Sequence, residues 1–265
     1  MNLVVFFRDA LLAAGLVGVA APSIGVYLVQ RRLSLMGDGI GHVAFTGVAA
    51  GFLTGTSPAL TAGIAATIGA VVIEVLRERG IAGDVALALI FYGGIAGGVL
   101  LTGLADVPTT RLFGFLFGQP LAVNEVDLAV TFGVVVLVLV VTLGLRKQLF
   151  AVSYDEDVAR ASGLPVRALN IVIAVVAAVM IAVTMRVVGV LLVAAMLVLP
   201  VAAAQQLTSS FRATVLVSIA IGVAVSVGGL MIAIYADLFP AATIVFGGIG
   251  AFGLTAIAAR LREAR

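Results

Sequence analysis

Apolar windows about the length of a membrane span recur from one end of the chain to the other, each closed by a few charges. They lie near 11–30, 38–56, 58–76, 85–104, 124–145, 167–185, 187–206, 212–235 and 241–259, against the ~20 apolar residues a helix needs to cross a bilayer. No stretch alternates apolar and polar residues as a half-buried strand would. In lipid a backbone must satisfy its own hydrogen bonds, which a helix does and an open strand does not. The pattern predicts an all-α, polytopic transmembrane helical bundle of about nine helices, with residues 1–265 forming one membrane domain.

Two stretches between the windows have patterns of their own. Thr110 to Gln119 is apolar but too short to cross, so it is expected as a re-entrant or interfacial piece. Two readings stand for it: a gate element, or an anchor that sets Phe113, Phe115 and Phe117 at the membrane surface. Further on, Ser153-Tyr154-Asp155-Glu156 has the spacing of a capping box, in which the serine accepts from the N3 amide and Glu156 reaches back to the first. Asp155 and Asp157 add negative charge to the first turn, and Gly163 with Pro165 beyond it is a stop signal. A short polar helix over about 154–162 is expected, either an ordinary loop helix or a rigid knob for docking a soluble partner.

Composition narrows the class. The chain is 63% hydrophobic and 11% charged, which leaves no room for a soluble domain beyond a loop or tail. It has no cysteine, so a metal would be held by oxygen, imidazole or methionine sulfur. A net charge of +2 gives no footing for nucleic acid. Arg8-Asp9 precede the first window without a basic start or a cleavage site, so that window is read as a retained span.

Basic residues set the orientation. With the N-terminus outside and the C-terminus cytoplasmic, Arg31, Arg32, Arg77, Arg79, Arg146, Lys147, Arg160, Arg167, Arg212, Arg260, Arg262 and Arg265 fall inside, and only Arg8, Arg111 and Arg186 fall opposite. Asp9, Asp106, Glu125, Asp127 and Asp237 then lie outside.

Asp38 and the chain's only histidine, His42, stand four residues apart at the head of the second window. Four residues apart on a helix is one face, and carboxylate with imidazole is half of a transition-metal site. Thr46 continues that line, while Gly39, Gly47, Gly51 and Gly55 form an adjoining strip that permits close backbone approach. An aspartate at mid-bilayer costs about 3 kcal/mol on insertion scales, so it should face a cavity or a partner. The competing reading makes Asp38 a helix cap near the cytoplasmic surface, with His42 one turn inside. Glu74, Arg77 and Glu78 share a helix face and read as a solvated ion-pair cluster. The sole lysine, Lys147, lies in Arg-Lys-Gln, so the chain has no P-loop and no enzyme activity is expected of it.

Four segments together resemble the membrane permease of the bacterial zinc, manganese and iron ABC importers: Ser34 to His42 with Gly47; Tyr154 to Gly163; Val187 to Val193 continuing through Leu199 to Ala204; and Tyr235 to Thr243. The resemblance implies a permease of the type II ABC importer kind in the bacterial cytoplasmic membrane, moving a divalent metal by alternating access. It implies a second permease copy, most simply a homodimer, two cytoplasmic ATP-binding subunits that use the ATP, and an external metal-binding protein, with no permanently bound cofactor. By the same resemblance Asp38 and His42 coordinate the metal, and Tyr154, Asp155, Glu156, Asp157, Ala159, Arg160 and Gly163 belong to a coupling helix that meets the ATPase. Glycines flank the sites where the family has a more helix-favouring mix, at Gly39 and Gly41, and Gln205-Gln206 stand where a basic residue often follows. Two other functions fit parts of the pattern: a permease for a metal chelate or cobalamin-like cargo, or a stand-alone cation channel or secondary transporter using Asp38 and His42 as a proton relay.

Overall fold

A computed structural model of the chain describes residues 7–105, 114–119 and 123–263. The longer helices are α1 (Arg8–Gln30), α2 (Met36–Thr54), α3 (Pro58–Glu78), α4 (Gly83–Ala105), α5 (Glu125–Gly144), α8 (Val166–Val188), α9 (Val190–Leu207), α10 (Phe211–Ala236) and α11 (Pro240–Glu263). Between α5 and α8 lie two short ones, α6 (Arg146–Tyr154) and α7 (Glu156–Ala161). Each long helix begins and ends within a few residues of an apolar window. Eight of the nine are long and apolar enough to cross a membrane. The ninth, α2, spans 19 residues but is diluted by Asp38, His42 and its glycines. It is sheltered instead by α3, α4, α8 and α9, which pack around it.

Burial divides the helices into an inner and an outer set. Most of α1 and α8 is buried, and α1 packs against α5, α9 and α10. By contrast α4 turns Leu89, Tyr92, Leu100 and Leu104 outward, and α11 does the same with Phe246, Leu254 and Leu261. Such apolar outer faces suit a hydrocarbon surrounding, where exposing them costs nothing. Three buried hydroxyls are satisfied within their own helices: Ser23 donates to the Val19 carbonyl at 2.7 Å, Thr142 to Val138 at 2.7 Å and Thr184 to Met180 at 2.6 Å. The Tyr27 hydroxyl crosses from α1 to the Thr142 carbonyl of α5 at 3.1 Å.

Helices α8 and α9 are separated by one residue, Gly189, with φ +84° and ψ 154°, a conformation essentially closed to residues bearing a Cβ. Gly118, also left-handed at φ +74°, lies directly against it, backbone on backbone. The Gln119 N–H donates to the Arg186 carbonyl at 3.3 Å, and a short helix at 114–117 leads into this crossing. Of the three phenylalanines considered as surface anchors, Phe115 is partly buried against the core and meets Phe52 edge-on at 6.2 Å. Phe117 is partly exposed, and Phe113 lies outside the described residues. Thus the described end of this segment packs into the bundle over a helix break.

The capping assignment at residue 153 is corrected by the structure. Ser153 is buried in the last turn of α6, and the extended residue is Asp155, at φ −155° and ψ 109°. Its carboxylate accepts from the Asp157 and Val158 amides at 2.9 and 3.0 Å. Both residues are capping types; α6 continuing through Tyr154 moves the break two residues on, so the helix runs 156–161. The stop is where the glycine predicts it: Gly163 adopts φ +80°, its N–H bonds the Arg160 carbonyl, and Leu164 N–H bonds that of Ala159. Asp155→Ala is expected to weaken the start of α7 by about 1 kcal/mol, read as faster amide exchange at Asp157 and Val158. Unchanged protection there would mean the cap contributes nothing.

Candidate metal path and docking helix

Helix α2 starts at Met36, with Leu35 preceding it and no side chain capping its amides. Asp38 is therefore the third residue inside the helix, in the turn where the macrodipole favours a carboxylate, and is not a cap. Asp38, His42 and Thr46 form one half-buried line along the helix. Among the described residues neither the Asp38 carboxylate nor the His42 imidazole has a hydrogen-bond partner, although each feels the other's charge. Two metal-type donors are thus held on one face, left free by the fold.

The rest of α2 explains how that face is kept open. His42 sets its ring edge-on to Phe91 of α4, with centroids 4.8 Å apart at 85°. Close by, α4 runs against the backbone of α2 at Gly94, where a Cβ would stand 2.7 Å from the Val43 nitrogen and 2.8 Å from the His42 carbonyl carbon. Thr46 secures the contact by donating to the Gly94 carbonyl at 2.6 Å, so this member of the polar line serves packing. On another side, Gly37 and Gly41 receive Leu197 and Val190 of α9. The glycines around Asp38 are therefore contact points between helices, and α2 remains continuous through them. Of the predicted glycine strip, Gly47 and Gly51 meet α3 at Thr61 and Pro58, whereas Gly55 is the left-handed residue that ends the helix.

No group of three or more His, Cys, Asp or Glu side chains occurs together among the described residues. One chain offers two strong ligands, fewer than the four a closed tetrahedral site uses. Such a pair is suited to holding a passing ion weakly, or to half of a site completed by a second chain.

At the end of the bundle where α1 and α3 finish, the structure overturns the solvated reading of Glu74 and Arg77. Four charges close a ring: Glu74 to Arg77 at 2.8 Å, Arg77 to Glu156 at 3.3 Å, Glu156 to Arg31 at 3.0 Å and Arg31 to Glu74 at 3.6 Å. The side chains of Arg31 and Glu74 are only 3% and 2% exposed, and Asn170 of α8 donates to the same Glu156 oxygen at 3.2 Å. Burial lowers the pKa of the Arg31 guanidinium, with Glu74 opposing and Arg77 adding to the effect. For Glu156, burial would raise the carboxyl, but Arg31 and Arg77 together outweigh it and hold it below the usual carboxylate range. Only Glu78 keeps the surface pairing expected of the cluster, with Arg167 at 3.2 Å. The i,i+3 spacing of Glu74 and Arg77 was the local signal; the partners Arg31 and Glu156 are distant in sequence.

Helix α7 consequently has two faces. Glu156 and the buried Ala159 turn into the protein, while Tyr154, Asp155, Asp157, Val158, Arg160 and Gly163 are exposed. Arg160 pairs with Asp157 at 3.2 Å across that outer face. An exposed Tyr154 and Val158 amid charges on a capped helix form a compact surface that a protein groove can grip.

Residues 4–258 match the model of the ABC 3 transport family. The chain is 34% identical over 230 residues to the manganese import system permease protein ScaB of Streptococcus gordonii, covering 86% of this chain and 82% of that protein. It is 30% identical over 251 residues to the manganese transport system membrane protein MntC of Halalkalibacterium halodurans, covering 94% and 86%. Among solved structures, a chain of the Streptococcus pneumoniae PsaBC complex with Fab superposes with a TM-score of 0.84 at 31% identity, covering 94% of this chain and 90% of that one.

Proposed function

Since the chain belongs to the ABC 3 transport family, we propose that it is the membrane permease of an ATP-driven importer whose cargo is manganese(II). The observation that carries the cargo reading is the pair Asp38 and His42, presented without a hydrogen-bond partner among the described residues on one face of a helix enclosed by four others. Carboxylate and imidazole accept zinc, iron and manganese alike, and the relatives named for manganese favour that ion. Two copies of the chain, each supplying one Asp and one His, would provide four donors around a single path. Residues 1–265 act as one membrane domain in this reading.

ATP is used by a separate subunit, because this chain has no phosphate-cradling loop around its one lysine. The outer face of α7 with its flanks, Tyr154, Asp155, Asp157, Arg160 and Gly163, is the surface that receives it, and an external metal-binding protein delivers the ion. The basic residues gathered at the end carrying Arg31, Arg77 and Arg167 favour a cytoplasmic position for that end, and with it an N-terminus outside and a C-terminus inside.

Co-purification checks the assembly. The tagged full-length chain should bring down a nucleotide-hydrolysing subunit, and reversing the charge of the outer face by Asp157→Lys should release it. Cells carrying the intact system should take up manganese in preference to zinc and iron when all three are offered together. A chain that captures no ATPase, or uptake indifferent to manganese, would remove the reading.

A further inference from the structure

The four charges in the ring come from three different parts of the fold. Glu156 belongs to the docking helix α7, Glu74 and Arg77 to the last turns of α3, and Arg31 to the turn between α1 and α2. Arg31 lies seven residues before Asp38, and the turn between them is tightly fixed. Arg31 N–H bonds the Tyr27 carbonyl, Arg32 is left-handed at φ +59°, and Leu33 is buried with its N–H on Leu28. Asn170, also on Glu156, stands at the start of α8, the helix that runs on to the break at Gly189.

The geometry of α7 singles out the charges as its attachment. A cleft of about 880 Å³ separates the α7–α8 corner from the end of α3, lined among others by Glu78, Gly80, Arg160 and Arg167. Across it Arg77 and Glu156 make a direct bond, and behind it Glu156 reaches the buried Arg31. A side chain on a docking helix that faces away from the docking surface, into two guanidiniums, does not recognise the partner. It fastens the helix to what lies behind it.

We propose that Glu156 is a positioning residue that transmits displacement of α7 to the α1–α2 turn through Arg31, and so to the helix bearing Asp38 and His42. The inference rests on the importer reading above. In this device the Glu156–Arg31 bond is the transmitting link, whereas Glu74 and Arg77 keep the ring electrically neutral. A merely structural ring would treat all four members alike.

Two doubly neutralised chains separate these roles, because each removes one acid and one base and leaves one compensated pair. Arg77→Gln with Glu156→Gln leaves Arg31 on Glu74 and cuts α7 free. Arg77→Gln with Glu74→Gln leaves Arg31 on Glu156 and keeps the link. The complexes captured with the full-length chain are placed in proteoliposomes with the binding protein, and manganese(II) delivered per ATP hydrolysed is measured. The first variant should still bring down the ATPase through the outer face of α7 but deliver at least about fivefold less manganese per ATP, the lower end of usual coupling energies. The second should stay within about twofold of the unaltered complex. Equal ratios in the two variants, whether both kept or both lost, would overturn the latch. Loss of ATPase capture in the first variant alone would make Glu156 a docking residue and overturn it too. Failure of the unaltered chain to capture any ATPase refutes the importer reading itself, and the latch with it.

Discussion

His42→Ala and Asp38→Asn are each expected to lower manganese uptake at limiting metal by at least about tenfold while leaving the permease folded. Even partners behind a metal ligand are worth roughly 10–100-fold in affinity, and loss of a direct ligand from a site with so few should cost no less. The fold should survive because neither side chain holds a hydrogen bond to a described neighbour, so no buried donor or acceptor is orphaned by its removal. His42 does lose its edge-on contact with Phe91, a loss of about 0.5–1.5 kcal/mol at most beyond area burial. Uptake at limiting and at saturating manganese, set beside the amount of assembled complex, separates a site effect from a folding one. Undiminished uptake in both variants at limiting metal would take the pair out of the path.

The second large effect is on the fold. Gly189→Ala is expected to deplete folded protein strongly, for two reasons that add. The φ +84° conformation costs a side-chain-bearing residue on the order of 1–3 kcal/mol. The new Cβ would also stand 2.6 Å from both the Leu116 carbonyl oxygen and the Gly118 nitrogen. These are backbone atoms that cannot swing aside, and overpacking of this kind costs typically 1–3 kcal/mol more. Against a stability of roughly 5–15 kcal/mol, the sum is a large fraction. Gly118→Ala meets Val188 Cα at 2.7 Å and should behave alike, whereas Gly103→Ala, in open space on α4, should be silent. Thermal unfolding of detergent-purified protein followed by size exclusion reads all three, and a Gly189→Ala midpoint equal to that of the unaltered chain would refute the argument.

This crossing also bears on the path. Val190, the residue after Gly189, packs on Gly41, which adjoins His42. The segment at 114–119 is thus tied by backbone contact to the helix start beside the candidate ligands.

What the sequence determined by itself is local in origin. A helix in lipid closes its hydrogen bonds within one segment, so apolar length alone places eight of the nine long helices among the described residues, and the four-residue spacing alone puts Asp38 and His42 on one face. The glycine stop at Gly163 was legible for the same reason, its φ being a property of one residue. The cap was misplaced at Ser153 because Ser153 and Asp155 both suit the role, and the continuation of α6 through Tyr154 moved it to Asp155. Tertiary structure alone decided the rest. Of the glycines around Asp38, Gly37 and Gly41 are contact points, because their worth lies in Leu197 and Val190, more than a hundred residues away in the chain. The ring joins Arg31 to Glu156 across 125 residues, and no periodicity records such a pairing. A buried charge is tolerable only beside its opposite, and which opposite arrives is fixed by how the helices pack.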